Sequence, residues 1–202
     1  MKMLDVFAGL GGMSESFLMH GWEVHRIDNN MLLKSVPNMT IQDVRDFVTD
    51  LKKKIDEYGI PEIDYIHGSP PCLEFSQGFH APGPTAKREG REFTPSLEYV
   101  EIFMQIIDLL QPRYWSLENV IGSIKHLKPL LGEPRQIVDS MVFWGSFPIM
   151  DMGGYKPQHK KDKYDPGNKN PLRANYRALI PYDVSNRMRI AIESQKQLTY
   201  WF

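Results

Sequence analysis

The sequence predicts an α/β fold in which an open, mostly parallel β-sheet carries helices on both faces. Short apolar runs alternate with stretches whose apolar residues recur at helical spacing, and this order is typical of parallel sheets. Glycines, acids or a cysteine come after five of the apolar runs. Ligands bind beyond the carboxyl ends of the strands in such sheets, so these residues predict a ligand site along one edge.

The first half of the chain supplies four predicted strands and two predicted helices. The second helix rests on Val44, Val48, Leu51 and Ile55, which recur at helical spacing, and on Gly59, which ends it. The predicted strands are residues 1–7, 22–27, 39–42 and 63–67, and the predicted helices are residues 14–20 and 43–58.

The second half begins with a stretch, residues 77–93, whose glycines, prolines and charges predict a mobile loop. Thr94 is placed to cap a helix that has Pro95 at its first position and ends near Leu110. The later elements are predicted as a strand at 114–117, a helix at 121–131, a strand at 141–147 and a last helix from Ile180.

The 202 residues are enough for one domain with a small appendage. We expect a catalytic and cofactor-binding core at 1–149, a basic irregular segment at 150–179 and a C-terminal helix, 180–202, that packs back on the core. The net charge of −1 means that nucleic-acid binding needs a local basic patch. Residues 156–177 carry seven Lys or Arg residues against two Asp residues, which suits phosphate contacts, although a solvated loop is the alternative.

The chain holds a single cysteine, Cys72, so it forms no internal disulfide and no cysteine-based metal cluster. This favours an intracellular, reducing location, and no apolar run approaches the roughly 18 residues of a membrane span. The N-terminus reaches glycines too early for a signal peptide. Cytoplasm is therefore the expected location.

Three features in the first 43 residues indicate a site for an adenosine-containing cofactor. "DVFAGLGG" places glycines between a predicted strand and a helix, where a ligand can approach the backbone closely. Asp28 ends the next strand, where an acid can bind ribose hydroxyls, and Asp43 could accept from an adenine amine. The alternatives are a plain tight turn, a solvated strand-end carboxylate and a helix N-cap.

Cys72 stands in a turn stiffened by Pro70 and Pro71 at the predicted ligand edge. Because proline fixes φ, the thiol is held in one direction, which favours a nucleophile in a polarised, partly exposed setting. An inert buried cysteine is the alternative. The nearest histidine, His67, lies inside a strand and is interpreted as structural.

Glu118 closes the apolar run of "WSLENV". Burial there would raise the pKa of its carboxyl and let it donate a proton. A strand-end acid paired with a nearby cation is the alternative.

Three blocks, "DVFAGLGGMSESF", "GSPPCLEFS" and "LENV", resemble the DNA (cytosine-5) methyltransferase family and stand in the family's order. The resemblance covers roughly residues 3–122 and implies a Rossmann-like S-adenosylmethionine-dependent methyltransferase fold. It implies S-adenosylmethionine as the cofactor, S-adenosylhomocysteine as its product, no metal, and double-stranded DNA as the partner. The residues implied to bind the cofactor are Phe7, Ala8, Gly9, Gly11, Gly12, Asp28, Asp43 and Pro70.

The resemblance also implies the catalytic roles. Cys72 would attack C6 of a cytosine flipped out of the stack, and Glu118 would hold N3 and the exocyclic amine. The 77–93 loop would close over the base.

The chain departs from the family pattern in several places. Leu73-Glu74 follow the cysteine where the family has Gln, Asp or a small residue, and the family's arginine block is not evident, with Arg173 or Arg177 as possible substitutes. The final block is replaced by "LIPYDVSNRM", and about fifty residues leave no room for a target-recognition domain of ordinary size. We therefore expect a compact member, of bacteriophage or mobile-element type, with relaxed specificity or a partner chain for recognition.

Two alternatives stay open. The same chemistry could act on RNA, or the chain could be a degenerate subunit that binds nucleic acid or cofactor. Methylation of an exocyclic amine needs no thiol and fits the Pro-Pro-Cys turn poorly. A transferred group other than methyl is also compatible with the sequence.

Overall fold

The computed structural model describes residues 1–157, 167 and 169–198. In this part of the chain, seven strands form one sheet in the order β3-β2-β1-β4-β5-β7-β6. The strands are β1 (Lys2–Val6), β2 (Glu23–Asp28), β3 (Met39–Ile41), β4 (Tyr65–Gly68), β5 (Tyr114–Val120), β6 (Gln136–Val138) and β7 (Met141–Ser146). The first five run parallel, whereas β7 is antiparallel to both β5 and β6. The predicted mostly parallel sheet is confirmed.

Helices cover both faces of the sheet, as predicted. They are α1 (Glu15–Met19), α2 (Val44–Tyr58), α3 (Pro82–Arg88), α4 (Glu98–Leu110), α5 (Ile124–Leu131), α6 (Arg173–Ala178) and α7 (Tyr182–Leu198). None of the helices in the described residues is long and apolar enough to cross a bilayer.

The core has two parts because side chains alternate across the strands. Val6 and Ile66 pack on one face with α2, α4 and α5, while Met3 and Tyr65 pack on the other with α1 and α7. The central strands β1 and β4 are buried on both sides, which explains their nearly continuous apolar character.

Residues 77–93, predicted as a mobile loop, contain a helix, α3, so the prediction is wrong for that part of the segment. Pro82 stands in the first turn of α3, where a missing N–H costs nothing, so the proline begins a helix instead of preventing one. The predicted start of the next helix is also wrong. Thr94 caps nothing: α4 begins at Glu98, and the preceding Ser96 N–H donates to the carboxylate of Glu74 at 2.6 Å.

The last helix begins at Tyr182, close to the predicted start, and packs on α1. Ser185 Oγ donates to the Met13 carbonyl oxygen and accepts from the Ser16 N–H at 3.2 Å, and Trp22 Nε1 donates to Glu193 at 2.8 Å. These bonds join α7 to α1 and to the residues on either side of α1, beneath the turn that follows β1.

Candidate active site

The sheet brings the predicted site residues to one edge. The glycine turn, residues 7–12, follows β1, Asp28 is the last residue of β2, and Asp43 follows β3. Cys72 comes four residues after β4, and Glu118 lies near the end of β5. Because these five strands are parallel, their carboxyl ends meet at the same edge.

Asp28 holds the glycine turn in place. Its Oδ2 accepts from the Gly9 N–H and its Oδ1 from the Asn30 N–H, both at 2.9 Å. Each carboxylate oxygen keeps a further lone pair, so Asp28 can still accept from ligand hydroxyls. Phe7 (φ 58°) and Gly9 (φ 54°) both adopt left-handed backbone in this turn. The Phe7 ring packs edge-on against Tyr99.

The other two glycines of the turn make room for protein atoms. A Cβ at Gly11 would lie 2.6 Å from the Arg26 guanidinium, and a Cβ at Gly12 would lie 2.6 Å from the Ile180 carbonyl oxygen. At Gly9 the nearest atom to such a Cβ is Asn175 Nδ2, at 3.5 Å. Close ligand approach therefore fits Gly9 best, and Gly11 and Gly12 are required first by packing. The adjacent Ala8 N–H donates to Ile27 O at 3.0 Å.

A buried polar network that the sequence analysis missed lies under the turn. Asp5 accepts from Ser14 Oγ at 2.5 Å, and Arg26 Nε donates to the same hydroxyl at 2.8 Å. Arg26 Nη2 also donates to the Gly11 carbonyl oxygen at 3.3 Å and to Glu15 at 3.0 Å. Burial raises the pKa of Asp5 to about 6, against the opposing effects of the Ser14 hydrogen bond and the Arg26 charge. The sequence feature that could have revealed this network is an acid and an arginine at interior positions of apolar strands.

Asp43 is the N-cap of α2, as the alternative interpretation held. Its carboxylate accepts from the Arg45 N–H at 2.9 Å and pairs with the Arg45 guanidinium at 3.2 Å. This hydrogen bond and this charge lower the pKa of Asp43. A contact with adenine stays a prediction.

A hydrogen bond joins the Cys72 turn to the end of β5, and the 3₁₀ turn that follows Cys72 packs against Gly122, two residues beyond that strand. Asn119, 1% exposed, donates from Nδ2 to the carbonyl oxygen of the buried Pro70 at 3.1 Å. On the other side of the cysteine, Cys72 caps a 3₁₀ turn, Leu73–Phe75, and the Phe75 carbonyl oxygen lies 2.1 Å from where a Cβ of Gly122 would stand. The backbone around the thiol is thus packed against the segment that carries Glu118.

Cys72 is half-buried, and the pKa of its thiol is raised, first by burial and then by the negative charge of Glu118. The two side chains are therefore close enough to interact electrostatically. The raised pKa means that the thiol favours its protonated form in this setting, and the role of Cys72 as a nucleophile stays a prediction. Glu118 lies inside β5, paired opposite Phe143, instead of after the strand as predicted, because β7 extends the ladder to Val120.

His67 is structural, as predicted. Its Nδ1 and Nε2 are hydrogen-bonded to Ser116 Oγ at 2.8 Å and Ser69 Oγ at 2.9 Å. Burial lowers its pKa to about 3, so the ring is neutral at physiological pH.

Arg173 is the first residue of α6, a helix that the sequence analysis missed because it is one and a half turns long. α6 lies beside the glycine turn, where Asn175 Oδ1 accepts from Asn30 Nδ2 at 3.4 Å. The catalytic role of Arg173 stays a prediction. Of the basic segment, Lys160, Lys161 and Lys163 lie outside the described residues.

The fold and site define a class: an α/β protein with an acid-braced glycine turn and a cysteine–glutamate pair along one sheet edge. The model of the C-5 cytosine-specific DNA methylase family matches residues 1–142. The chain belongs to that family, and the predicted membership is confirmed.

Several curated proteins are similar to this chain. The type II methyltransferase M.DdeI of Desulfomicrobium norvegicum is 26% identical over 192 residues, 90% of this chain and 44% of that protein. The type II methyltransferase M.SsoII of Shigella sonnei is 25% identical over 194 residues, 94% of this chain and 48% of that protein. The orphan methyltransferase M.Rho11sI of Bacillus phage rho11s is 30% identical over 135 residues, 63% of this chain and 24% of that protein. The chain thus spans about half the length of the first two relatives.

Proposed function

We propose that this protein transfers a methyl group from S-adenosylmethionine to C5 of a cytosine in DNA, through a covalent bond between Cys72 and C6. One observation carries the proposal: Asn119, the neighbour of Glu118 in β5, donates a hydrogen bond to the Pro70 carbonyl oxygen and so holds the Cys72 turn against the strand end that bears Glu118. A nucleophile and a proton donor beside one another are what addition to a pyrimidine ring requires.

The residues at the other end of the edge fit the cofactor. Asp28 has lone pairs for ribose hydroxyls, Asp43 has them for an amine, and the open side of Gly9 admits a ligand to the backbone. Bound S-adenosylmethionine supplies an electrophilic methyl group on a sulfonium. Phe7, Ala8 and Pro70 would contribute to the walls of this site.

The chemistry begins with the thiol. Cytosine C5 is a poor nucleophile until Cys72 Sγ bonds to C6, which gives the ring enamine character. Glu118 donates its proton to N3 as negative charge develops there. C5 then takes the methyl group and loses its proton to water. As the C6–S bond breaks, N3 returns its proton to Glu118, which restores the ring and the thiolate.

The raised pKa of Cys72 links thiol activation to base entry. A protonated Glu118 hydrogen-bonded to N3 carries no negative charge, so the second cause of the raised thiol pKa disappears once the base is in place. The proton on Glu118 is the one that the Cys72 thiol gives up, and it passes to N3 as the C6–S bond forms, so addition needs no net proton from solvent. The resting enzyme would keep its cysteine protected as the thiol.

We further propose that double-stranded DNA is the substrate and that sequence recognition is relaxed or supplied by a partner chain. Phosphate contacts from residues 156–177 would position the duplex without specifying sequence. The phage relative supports a bacterial or phage-infected cytoplasm as the place of action.

The test uses labelled S-adenosylmethionine and duplex DNA that contains 5-fluorocytosine, which blocks loss of the substituent at C5. We expect a labelled covalent protein–DNA adduct that withstands denaturation, and we expect Cys72→Ser to form none. Ser76→Ala, in the same loop, is the matched control and should still form it. Adduct on RNA alone would move the substrate to RNA, and cofactor binding without any adduct would refute the catalytic proposal.

A further inference from the structure

A cleft of about 590 Å³ lies between α3 and the start of α5, next to the Cys72 turn. We call it the α3–α5 cleft. Lys87, Arg88 and Arg91 line it from the α3 side, and Lys125 and His126 line it from α5. Its volume is in the range of ordinary ligand sites, about 300–1,000 Å³.

The cleft is basic in a chain whose total charge is close to zero. Four of the lining residues are Lys or Arg, and the one acid among them is Glu74, whose carboxylate already accepts from the Ser96 N–H. The whole chain has a net charge of −1. A local concentration of positive charge in such a chain points to a polyanionic partner.

Two of these cations are available to a ligand. Arg91 is paired with Glu89. Lys87 and Lys125 are exposed, and neither has an ion-pair partner among residues 1–157, 167 and 169–198. They belong to opposite walls, so one chain of phosphates lying in the cleft can meet both.

A stacking surface stands beside these charges. The Arg88 guanidinium lies over the Phe79 ring at 3.9 Å from its centroid, and Phe79 is 67% exposed. Exposed aromatic rings with arginine, set next to a basic groove, are the usual means of binding nucleic-acid strands. This pairing distinguishes the cleft from a merely solvated set of lysines.

The cleft also adjoins the reaction centre. Its wall includes Glu74 and Phe75, which belong to the 3₁₀ turn that Cys72 caps. A strand whose base reaches Cys72 would therefore pass the cleft within a short distance.

We infer that the α3–α5 cleft binds the sugar–phosphate backbone of the strand that carries the target cytosine, with Lys87 and Lys125 contacting phosphates from opposite walls. This rests on the proposed function. The main contact with the DNA backbone would then be made by cleft residues between 74 and 126, in addition to contacts from the basic segment 156–177.

The test measures the affinity of the full chain for a labelled duplex by fluorescence anisotropy at several salt concentrations. Each phosphate contact that is lost should reduce the slope of log K against log salt by about 1, so Lys87→Ala and Lys125→Ala should each lower it by that amount and the double variant by about 2. Lys52→Ala, an exposed lysine on α2, is the matched control and should keep the wild-type slope.

The outcomes separate the two proposals. Cleft variants whose slopes equal that of Lys52→Ala, in a protein that still forms the 5-fluorocytosine adduct, would overturn the cleft and leave the function standing. A wild-type chain that binds duplex but forms no adduct would overturn the function, and a reduced slope in the variants would still support the cleft. Inorganic phosphate that binds wild type as tightly as duplex does would show a free-anion site and overturn the inference.

Discussion

Gly122→Ala tests whether the position of the Cys72 turn controls the reaction. The added methyl carbon would lie 2.1 Å from the Phe75 carbonyl oxygen, whereas even a close C–H···O contact needs about 3.3 Å, so the turn must retreat by roughly 1 Å. Phe75 is 5% exposed and belongs to the core. It can therefore move only together with Cys72, which is the N-cap residue of the same 3₁₀ turn. A displacement of about 1 Å at a reacting group lowers the rate about 100-fold.

The overpacking should also destabilise the fold by about 1–3 kcal/mol, or about 2–4 °C in Tm for each kcal/mol. Single-turnover methyl transfer, cofactor affinity by calorimetry and Tm are measured together. Gly78→Ala is the control, because its Cβ meets only Ser76 Oγ, at 3.4 Å. Unchanged cofactor affinity with slower transfer is expected. A Gly122→Ala rate within threefold of Gly78→Ala would refute the link between this turn and the chemistry.

Two further predictions concern titration. The rate of Cys72 alkylation by iodoacetamide should rise with pH through a midpoint above that of an ordinary thiol. Glu118→Gln should lower this midpoint, because it removes the negative charge that helps to raise the thiol pKa. An unchanged midpoint would contradict an electrostatic interaction between Cys72 and Glu118. Asp5 has its pKa raised from 3.8 to about 6, so its contribution to stability is present below pH 3.8 and is lost as the pH rises through about 6. Urea unfolding should therefore show wild type losing about 2 kcal/mol relative to Asp5→Asn between about pH 4 and pH 7, and a constant difference would count against a buried carboxyl with a raised pKa.

The strands and the site residues that follow them could be predicted, because buried strands are apolar in sequence and ligand-binding residues come directly after them. β1 and β4 read as apolar runs since both faces of each are covered, and the residues that follow them lie at the ligand edge. The direction of β7 could not be predicted, because an antiparallel edge strand has the same side-chain pattern as a parallel one. α3 was concealed by its prolines, which favour turns and helix starts alike.

The residues of the candidate site could be predicted from the sequence, but their contacts and pKa values could not. The local sequence pattern does not show that the Arg26 side chain fills the space next to Gly11, because this contact joins a turn to the neighbouring strand. The pKa of the Cys72 thiol could not be predicted from the sequence for the same reason. The pKa of its thiol depends on burial and on Glu118, which is 46 positions further along the chain.

The contact of the Ile180 backbone with Gly12, and of Ser185 with Met13, joins parts of the chain that are made far apart in time. A ribosome exposes β1 early, yet the turn that follows it obtains its lower support only after residues near 185 have emerged. Until then, the apolar underside of α1 would be uncovered and available to chaperones or to other nascent chains. The glycine turn should accordingly reach its final packing only after residues near 185 are available, and long-range closure of this kind should make that step slow.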